Sequence, residues 1–318
     1  MQTRTLGAMS APAIGLGAGG LVDGPDAVAT VQAAIDAGMT FLDTADFYDA
    51  GANEDLIRRA LRPGDRGRVQ LSVKFGGLRD PAGRFVGVEG RPAHVRNFLA
   101  YSLQRLGTDH VDVYRPARLD PTVPIEDTVG TIAELVEAGY VRHVGLSEVG
   151  AETIRRAHAV HPIADVQIEY SLLNRGPERA ILDTCRELGI GVSAYGVLAH
   201  GLLTGSYRPD AVGPGHLPQL ATENLPSNLA LVERLRPIAD ARGATVAQLA
   251  VAWVLAREPH LVALVGASRP SRVPDAVAAA DLALSDADMT AIEEAVPPGA
   301  AAGERYAAPL MAMLDSER

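Results

Sequence analysis

The segment FLDTADFY, at residues 41–48, begins with an apolar stretch and continues directly into polar residues. The segments LSVKFG at 71–76 and VDVYRPARLD at 111–120 repeat this arrangement further along the chain. Each has the pattern of a buried strand that ends in a chemically reactive side chain. With five further apolar segments they make eight predicted strands, at 13–17, 41–45, 70–75, 110–115, 141–147, 164–170, 190–195 and 261–266.

Helical patterns separate these strands, at 26–37, 53–61, 93–106, 126–138, 151–159, 177–188, 228–242 and 270–280. Strands rich in Val and Ile that alternate with helices predict a parallel sheet. Eight such units in one chain of 318 residues predict an α/β fold of the (β/α)8 TIM barrel type, as a single domain over 1–318. The opening segment predicts an additional N-terminal hairpin that turns near Gly7-Ala8, and 245–258 predicts an extra helix.

A glycine motif at Gly15, Gly17 and Gly20 offers an alternative, the open dinucleotide-binding sheet. That fold needs the glycines to open a helix directly, whereas Val22-Asp23-Gly24-Pro25 intervenes here. The barrel is therefore favoured. Glycine still permits a close approach of a cofactor to the backbone at Gly17 and Ala18.

Composition restricts the function classes. The formal net charge of −10 argues against general nucleic-acid binding, and the lack of a long apolar run argues against a membrane span. The single Cys185 and the absence of a signal-peptide pattern predict a cytoplasmic protein. No His, Cys, Asp and Glu residues have metal-ligand spacing, so no metal site is expected. The expected partner is a small-molecule substrate, and the sequence gives no prediction of oligomeric state.

Three side chains follow neighbouring predicted strands and could form a proton-transfer unit: Asp43, Tyr48 and Lys74. A phenol is a weak acid at neutral pH, and a nearby ammonium favours its ionised form. The carboxylate would keep the ammonium charged and oriented. Taken singly, each residue has an ordinary explanation in a turn, a surface loop or a solvated lysine. Their joint position on the catalytic face of a barrel favours the functional interpretation.

A second candidate site follows the eighth strand, where Ser268, Arg269 and Arg272 cluster at a predicted helix start. Helix N-termini and arginines both bind phosphate, and barrels often have a phosphate site at this place. The alternative is a solvated basic patch on an acidic chain.

The chain resembles the aldo-keto reductase superfamily over essentially its whole length. FLDTADFY and LSVKFG match the family segments that carry the catalytic Asp43, Tyr48 and Lys74, and GLSEVG, VQIEYSLL and SAYGVLAHGLLTG match its cofactor segments. The resemblance implies NADP(H) bound across the barrel mouth, with the nicotinamide ring stacked on Tyr195. It assigns the nicotinamide amide to Ser147, Glu148 and Gln167, the pyrophosphate to Gly196, Leu198 and Gly201, and the adenosine 2′-phosphate to Arg272. Gly266, Ser268 and Arg269 are predicted to bind the cofactor beside Arg272.

The sequence departs from the family pattern at two positions. Ala276 stands where the family often has an adenine-facing Asn, and Ala117 stands where it usually has a His that donates to the substrate carbonyl. Arg115, His200 or His216 could replace that donor, or Tyr48 could act alone. Alternatively, the acceptor is a C=C or C=N bond, or the chain is a nucleotide-bound sensor. Substrate specificity is expected to lie in loops 76–92 and 196–227 and in the tail at 303–318.

Overall fold

The structure, a computed structural model, describes residues 1–207 and 216–318, so part of the predicted loop 196–227 lies outside the described residues. Its strands are β1 Thr3–Leu6, β2 Met9–Pro12, β3 Ile14–Gly17, β4 Phe41–Ala45, β5 Gln70–Phe75, β6 Gly77–Arg79, β7 Phe85–Val88, β8 Val111–Pro116, β9 Val141–Ser147, β10 Ile163–Glu169, β11 Gly191–Tyr195 and β12 Leu261–Val265. Its helices are α1 Pro25–Asp36, α2 Ala52–Ala60, α3 Pro92–Leu106, α4 Ile125–Glu137, α5 Ala151–Val160, α6 Ile181–Leu188, α7 Leu225–Ala241, α8 Val246–Arg257, α9 Val273–Ala278, α10 Asp286–Ala295 and α11 Ala308–Met311.

Eight parallel strands close into a barrel in the order β3-β4-β5-β8-β9-β10-β11-β12, with β12 paired to β3. The predicted (β/α)8 fold is confirmed, and helix α1 begins only at Pro25, after the glycine motif. The register places Asp43 beside Ser72, and Lys74 beside both Ala45 and Arg115. Polar residues of three consecutive strands are therefore brought to the same level of the barrel.

The predicted N-terminal hairpin is present and closes the bottom of the barrel. Strands β1 and β2 turn at Gly7, whose φ of 57° lies in the left-handed region that glycine adopts without strain. Leu6 and Met9 pack against four inward-facing residues of three barrel strands, Phe41, Val113, Val262 and Leu264. Gly191 makes room for this contact, because a Cβ there would lie 2.4 Å from a Leu6 methyl carbon. Substrate access is thus confined to the opposite end.

The helices follow the sequence pattern with several differences. The extra helix is confirmed as α8, and Thr245 caps it through a capping box with Gln248. Predicted helix 177–188 is a short 3₁₀ turn, Gly176–Arg179, followed by α6. Predicted helix 270–280 is likewise divided, because α9 is preceded and followed by 3₁₀ turns, Pro270–Arg272 and Ala279–Asp281. Loop 76–92 contains a small antiparallel hairpin, β6–β7.

Helix α10 was not predicted, although Ser285 and Asp288 form a capping box that the sequence shows as a Ser-x-x-Asp pattern. Cys185 is buried in α6. Within the described part of the chain, no single helix is long and apolar enough to cross a membrane. Helices α7 and α8 are long and apolar enough only when taken together, and they are bent by 87° relative to each other.

Candidate active site

An ion pair lies at the end of strands β4 and β5, inside the barrel mouth. Lys74 Nζ contacts Asp43 Oδ2, and both side chains are almost fully buried. The other carboxylate oxygen, Oδ1, accepts hydrogen bonds from Ser72 Oγ at 2.9 Å and from Gln167 Nε2 at 2.7 Å. Three donors from two strands, β5 and β10, therefore hold the carboxylate in one orientation.

Tyr48 lies directly above this pair, in a 3₁₀ turn after β4. The Lys74 ammonium lies 5.0 Å from the centre of the Tyr48 ring. Gly19 packs against the other side of the ring, where a Cβ would lie 2.9 Å from a Tyr48 ring carbon. Phe47 makes an edge contact with the ring, with 5.2 Å between centroids. The structure thus brings the three predicted catalytic residues together.

A second ion pair lies below the first, in the barrel interior. Arg115 and Asp165 are fully buried and contact each other at 2.9 Å. Arg115 Nη2 also donates to Ser72 Oγ at 2.8 Å, so Ser72 connects the two ion pairs. The suggestion that Arg115 replaces the missing His donor is wrong, because its guanidinium is held beneath Asp43 and does not line the mouth cavity.

The mouth cavity has a volume of about 770 Å³ and opens above Tyr48 and Lys74. Ala117 lines it, and so do His200 and His216, which keeps both histidines as candidate donors. His200 Nε2 lies 3.8 Å from Glu169 Oε1, and burial lowers the pKa of its imidazole. Within the described residues, no group of three or more His, Cys, Asp or Glu side chains is placed to hold a metal ion.

Most residues predicted to contact the cofactor line the same cavity: Gly17, Asp43, Gln167, Tyr195, Gly196, Leu198, Gly201 and Gly266. Ser147 lies at the end of β9, and its buried Oγ has no hydrogen-bond partner among the described residues. An unpaired buried hydroxyl is costly and suits a ligand amide. Ala18 is also buried, and its carbonyl accepts from Asn53 Nδ2 at 2.9 Å.

Glu148, which the resemblance assigns to the nicotinamide amide, is not among the residues that line the mouth cavity. Its φ of 54° turns the side chain away from the cavity, and both carboxylate oxygens are occupied. Arg305 contacts Oε2 at 2.6 Å and Oε1 at 3.1 Å, while Tyr195 donates to Oε1 at 2.8 Å. Burial acts to raise the pKa of Glu148, but Arg305 lowers it to about 2.

Arg305 also contacts Glu169 Oε2 at 3.1 Å, so one guanidinium serves two carboxylates. Burial raises the pKa of Glu169 to about 7, against the effect of Arg305 and with a further contribution from Glu148. Glu148 therefore stays charged, and Glu169 titrates near neutrality.

The predicted phosphate site is open to solvent. Ser268, Arg269 and Arg272 are exposed in the segment that leads from β12 into α9, outside the mouth cavity. None of the three side chains forms an ion pair or hydrogen bond with the rest of the described chain, which leaves two unpaired cations. Ala276 lies on α9 with 9% exposure.

The tail at 303–318, predicted to carry specificity, does reach the mouth cavity, although the sequence indicated no individual residue in it. Tyr306, Leu310, Met313 and Leu314 line the mouth cavity, and Asp315 Oδ2 accepts from Gly150 N at 2.8 Å. Arg118 was also given no role, although it lines the cavity beside Ala117. Arg305 gives no local signal in the sequence, because its partner Glu148 lies 157 residues away.

Comparison with known proteins agrees with this geometry. The model of the Aldo/keto reductase family matches residues 8–297. A probable aldo-keto reductase 1 from Glycine max is 40% identical over 289 residues, which cover 88% of this chain and 82% of the relative.

Two solved structures are similar to the chain. A glycerol dehydrogenase from Gluconobacter oxydans superposes with a TM-score of 0.84 at 29% identity, covering 92% of this chain and 94% of that one. An aldo-keto reductase from Klebsiella pneumoniae, in complex with NADPH, superposes with a TM-score of 0.75 at 29% identity, covering 94% and 96%.

Proposed function

This chain belongs to the aldo/keto reductase family and is a nicotinamide-dependent oxidoreductase, and on that premise we propose that it reduces an aldehyde or ketone with NADPH, with Tyr48 as the proton donor. The observation that carries the proposal is the arrangement of Tyr48 over the buried Lys74–Asp43 pair at the floor of the cavity. A cytoplasmic location stays a prediction.

The three side chains act as one unit. The Lys74 ammonium lies close enough to attract the negative charge that develops on Tyr48 as it gives up its proton. Asp43 holds Lys74 in place, and Ser72 and Gln167 fix the carboxylate by hydrogen bonds. A proton donor that is positioned before the substrate arrives needs little reorganisation during the reaction.

The chain offers a set of groups that fit NADPH. The free Ser147 Oγ suits the nicotinamide amide, and the ring of Tyr195 lines the cavity where a planar group could stack. The exposed Arg269 and Arg272 suit phosphate groups, as does the Ser268 hydroxyl. When bound, the nicotinamide supplies the hydride, while this chain binds, orients and protonates. The similar Klebsiella pneumoniae enzyme was solved in complex with NADPH, which supports the choice of cofactor.

Ala117 favours a second candidate, reduction of a C=C or C=N bond in the same cavity. Ala117 is 4% exposed and places no hydrogen-bond donor beside Tyr48, where the family usually has a His. Such a donor can contribute about 3 kcal/mol to carbonyl reduction. An acceptor that needs no second donor would avoid this loss.

NADPH oxidation against aldehydes, ketones, enones and cyclic imines tests the two candidates. Tyr48→Phe should lower turnover by about 10²-fold or more, because the ring stays and the proton is lost. Tyr101→Phe is the matched control, since Tyr101 is 53% exposed on helix α3. Undiminished turnover in Tyr48→Phe would assign the proton to another donor, with His200 tested next. Reduction of enones or imines alone would favour the second candidate.

A further inference from the structure

The cavity contains a cation that no carboxylate of the described chain neutralises. Arg118 follows strand β8 and lines the cavity next to Ala117. Its Nη1 donates to the carbonyl oxygen of Ala117 at 2.6 Å. Within residues 1–207 and 216–318 the guanidinium forms no ion pair, and its Nε and Nη2 have no hydrogen-bond acceptor.

The other cations in this region of the barrel are paired. Lys74 contacts Asp43, Arg115 contacts Asp165, and Arg305 contacts Glu148. Removing a charge from water without a partner is unfavourable, so proteins normally pair or neutralise such groups. Arg118 differs from these cations because it lines a space that a ligand can enter and has no carboxylate partner among the described residues.

The groups that face Arg118 do not cancel its charge. They are Tyr195 on β11, Glu148 after β9, Tyr306 in the tail and Tyr48 after β4. Glu148 is the only carboxylate among them, and Arg305 already contacts both of its oxygens. Burial acts to lower the pKa of the Arg118 guanidinium, but Tyr195 and Glu148 raise it above its ordinary value, so the side chain stays charged.

The rest of the cavity is mainly apolar above the reactive floor. Phe47, Phe85, Leu310 and Met313 contribute to its walls. A molecule that places its reacting group at Tyr48 and an anionic group at Arg118 would rest its apolar part against these walls. Arginine binds carboxylates through two parallel hydrogen bonds, which adds geometric selectivity to charge.

We infer that Arg118 binds a carboxylate of the substrate, so that the enzyme prefers oxo acids, meaning aldehydes or ketones that carry a carboxylate beyond an apolar spacer. The inference rests on the proposed reductase function and names its substrate class. Arg118 touches the substrate's anionic group and takes no part in proton or hydride transfer.

Two matched aldehydes test the inference: 4-carboxybenzaldehyde and its neutral methyl ester, methyl 4-formylbenzoate. The wild type should have the higher kcat/KM for the acid. In Arg118→Met the acid-to-ester ratio of kcat/KM should fall by about tenfold to a hundredfold, mainly through KM, because a charge-assisted hydrogen bond is lost. Arg118→Lys keeps the charge and should restore part of the ratio. Arg142→Met removes an exposed arginine at the start of β9, at the opposite end of the barrel, and should leave the ratio unchanged.

A wild type that prefers the ester would overturn the inference. An equal loss of kcat for both aldehydes in Arg118→Met would also overturn it and would assign Arg118 to the carbonyl oxygen. Calorimetric titration of 4-carboxybenzaldehyde, with and without NADP⁺, separates this inference from the reductase proposal. Binding that depends on Arg118 without turnover of either aldehyde would keep the carboxylate site and reject the reductase. Binding of equal strength in wild type and Arg118→Met would reject the carboxylate site whatever the turnover.

Discussion

Asp43 shows how single residues define this site. Its carboxylate accepts hydrogen bonds from Ser72 and Gln167 and pairs with Lys74. Asp43 is on β4, so both of its oxygens are held by residues of other strands. Ser72 in turn accepts from Arg115 at 2.8 Å. Positive charge therefore lies on both sides of Asp43, and its carboxylate keeps Lys74 fixed under Tyr48.

Ala117 is the residue where this site departs most from its family. We expect its small side chain to leave space in the cavity that the substrate occupies. Ala117→His should lower kcat/KM for the best substrate, because overfilling a packed site costs about 1–3 kcal/mol. Ala117→Val adds bulk without a hydrogen-bond donor and should also lower kcat/KM for the best substrate. Steady-state kinetics on the best substrate and on a simple neutral aldehyde measures both effects. If Ala117→His instead raises kcat/KM for both substrates while Ala117→Val lowers it for both, the wild type lacks a hydrogen-bond donor that the reaction needs.

Asp46 makes stability depend on pH. Burial raises the pKa of Asp46 to about 7, with a further contribution from Glu54, and its Oδ1 has no hydrogen-bond partner in the described structure. The folded protein thus holds a proton that the unfolded chain releases near pH 4. Between these pH values the free energy of unfolding should fall as pH rises, by up to about 1.4 kcal/mol per pH unit from this group.

Urea unfolding at pH 5 and pH 8 measures this effect in Asp46→Asn. The variant should lose less stability than the wild type between the two pH values, because Asn carries no titrating proton. Asp49→Asn is the control: Asp49 is exposed three residues away, and its φ of 49° suits Asn. An identical pH dependence in wild type and Asp46→Asn would contradict the prediction.

Among the structural elements, the C-terminal tail has the largest influence on the mouth. Arg305 is 5% exposed and pairs with Glu148, Glu169 and Glu317. Breaking a buried pair from one side typically costs about 3–5 kcal/mol, because the remaining charge is left unpaired. Arg305→Met should therefore destabilise the fold by an amount in that range, as measured by urea unfolding.

Two further variants make this prediction specific. Adding Glu148→Gln to Arg305→Met should recover part of the loss, since the unpaired charge is removed. Arg96→Met breaks the exposed pair with Glu134 and should cost less than about 1 kcal/mol. If Arg305→Met and Arg96→Met lower the free energy of unfolding equally, the buried ion pairs of Arg305 do not stabilise the protein more than an exposed pair does.

The elements also show what the sequence could and could not predict. The apolar pattern of each segment predicted the eight barrel strands, and the polar residues at strand ends predicted Asp43, Tyr48 and Lys74. Both predictions were possible because they depend only on local sequence. The depth of Arg115 in the barrel depends on the register with β5, which no single segment contains. The orientation of Glu148 depends on a positive φ and on Arg305 in the tail. Hairpin β6–β7 has only short strands of three and four residues, too short for a clear alternation.

At the scale of the whole molecule, the net charge of −10 opposes the binding of an anionic cofactor. Arg269 and Arg272, in the segment that leads from β12 into α9, are therefore expected to determine the affinity for NADPH. A ligand at 100 times its Kd stabilises the native state by about 2.7 kcal/mol. For 318 residues, an unfolding entropy of roughly 0.7 kcal/mol/K converts this into an increase in Tm of about 4 °C.

Thermal unfolding without substrate can therefore test the cofactor assignment independently of turnover. NADPH should raise the Tm of the wild type more than NADH does, because only NADPH carries the 2′-phosphate assigned to Arg272. Arg272→Ala should weaken NADPH binding by about tenfold to a hundredfold, which reduces the shift at the same concentration to about 2 °C or less. The control Arg142→Ala removes an arginine at the other end of the barrel and should keep the full shift. Equal shifts with NADPH and NADH in the wild type would show that the exposed arginines after β12 do not recognise the 2′-phosphate.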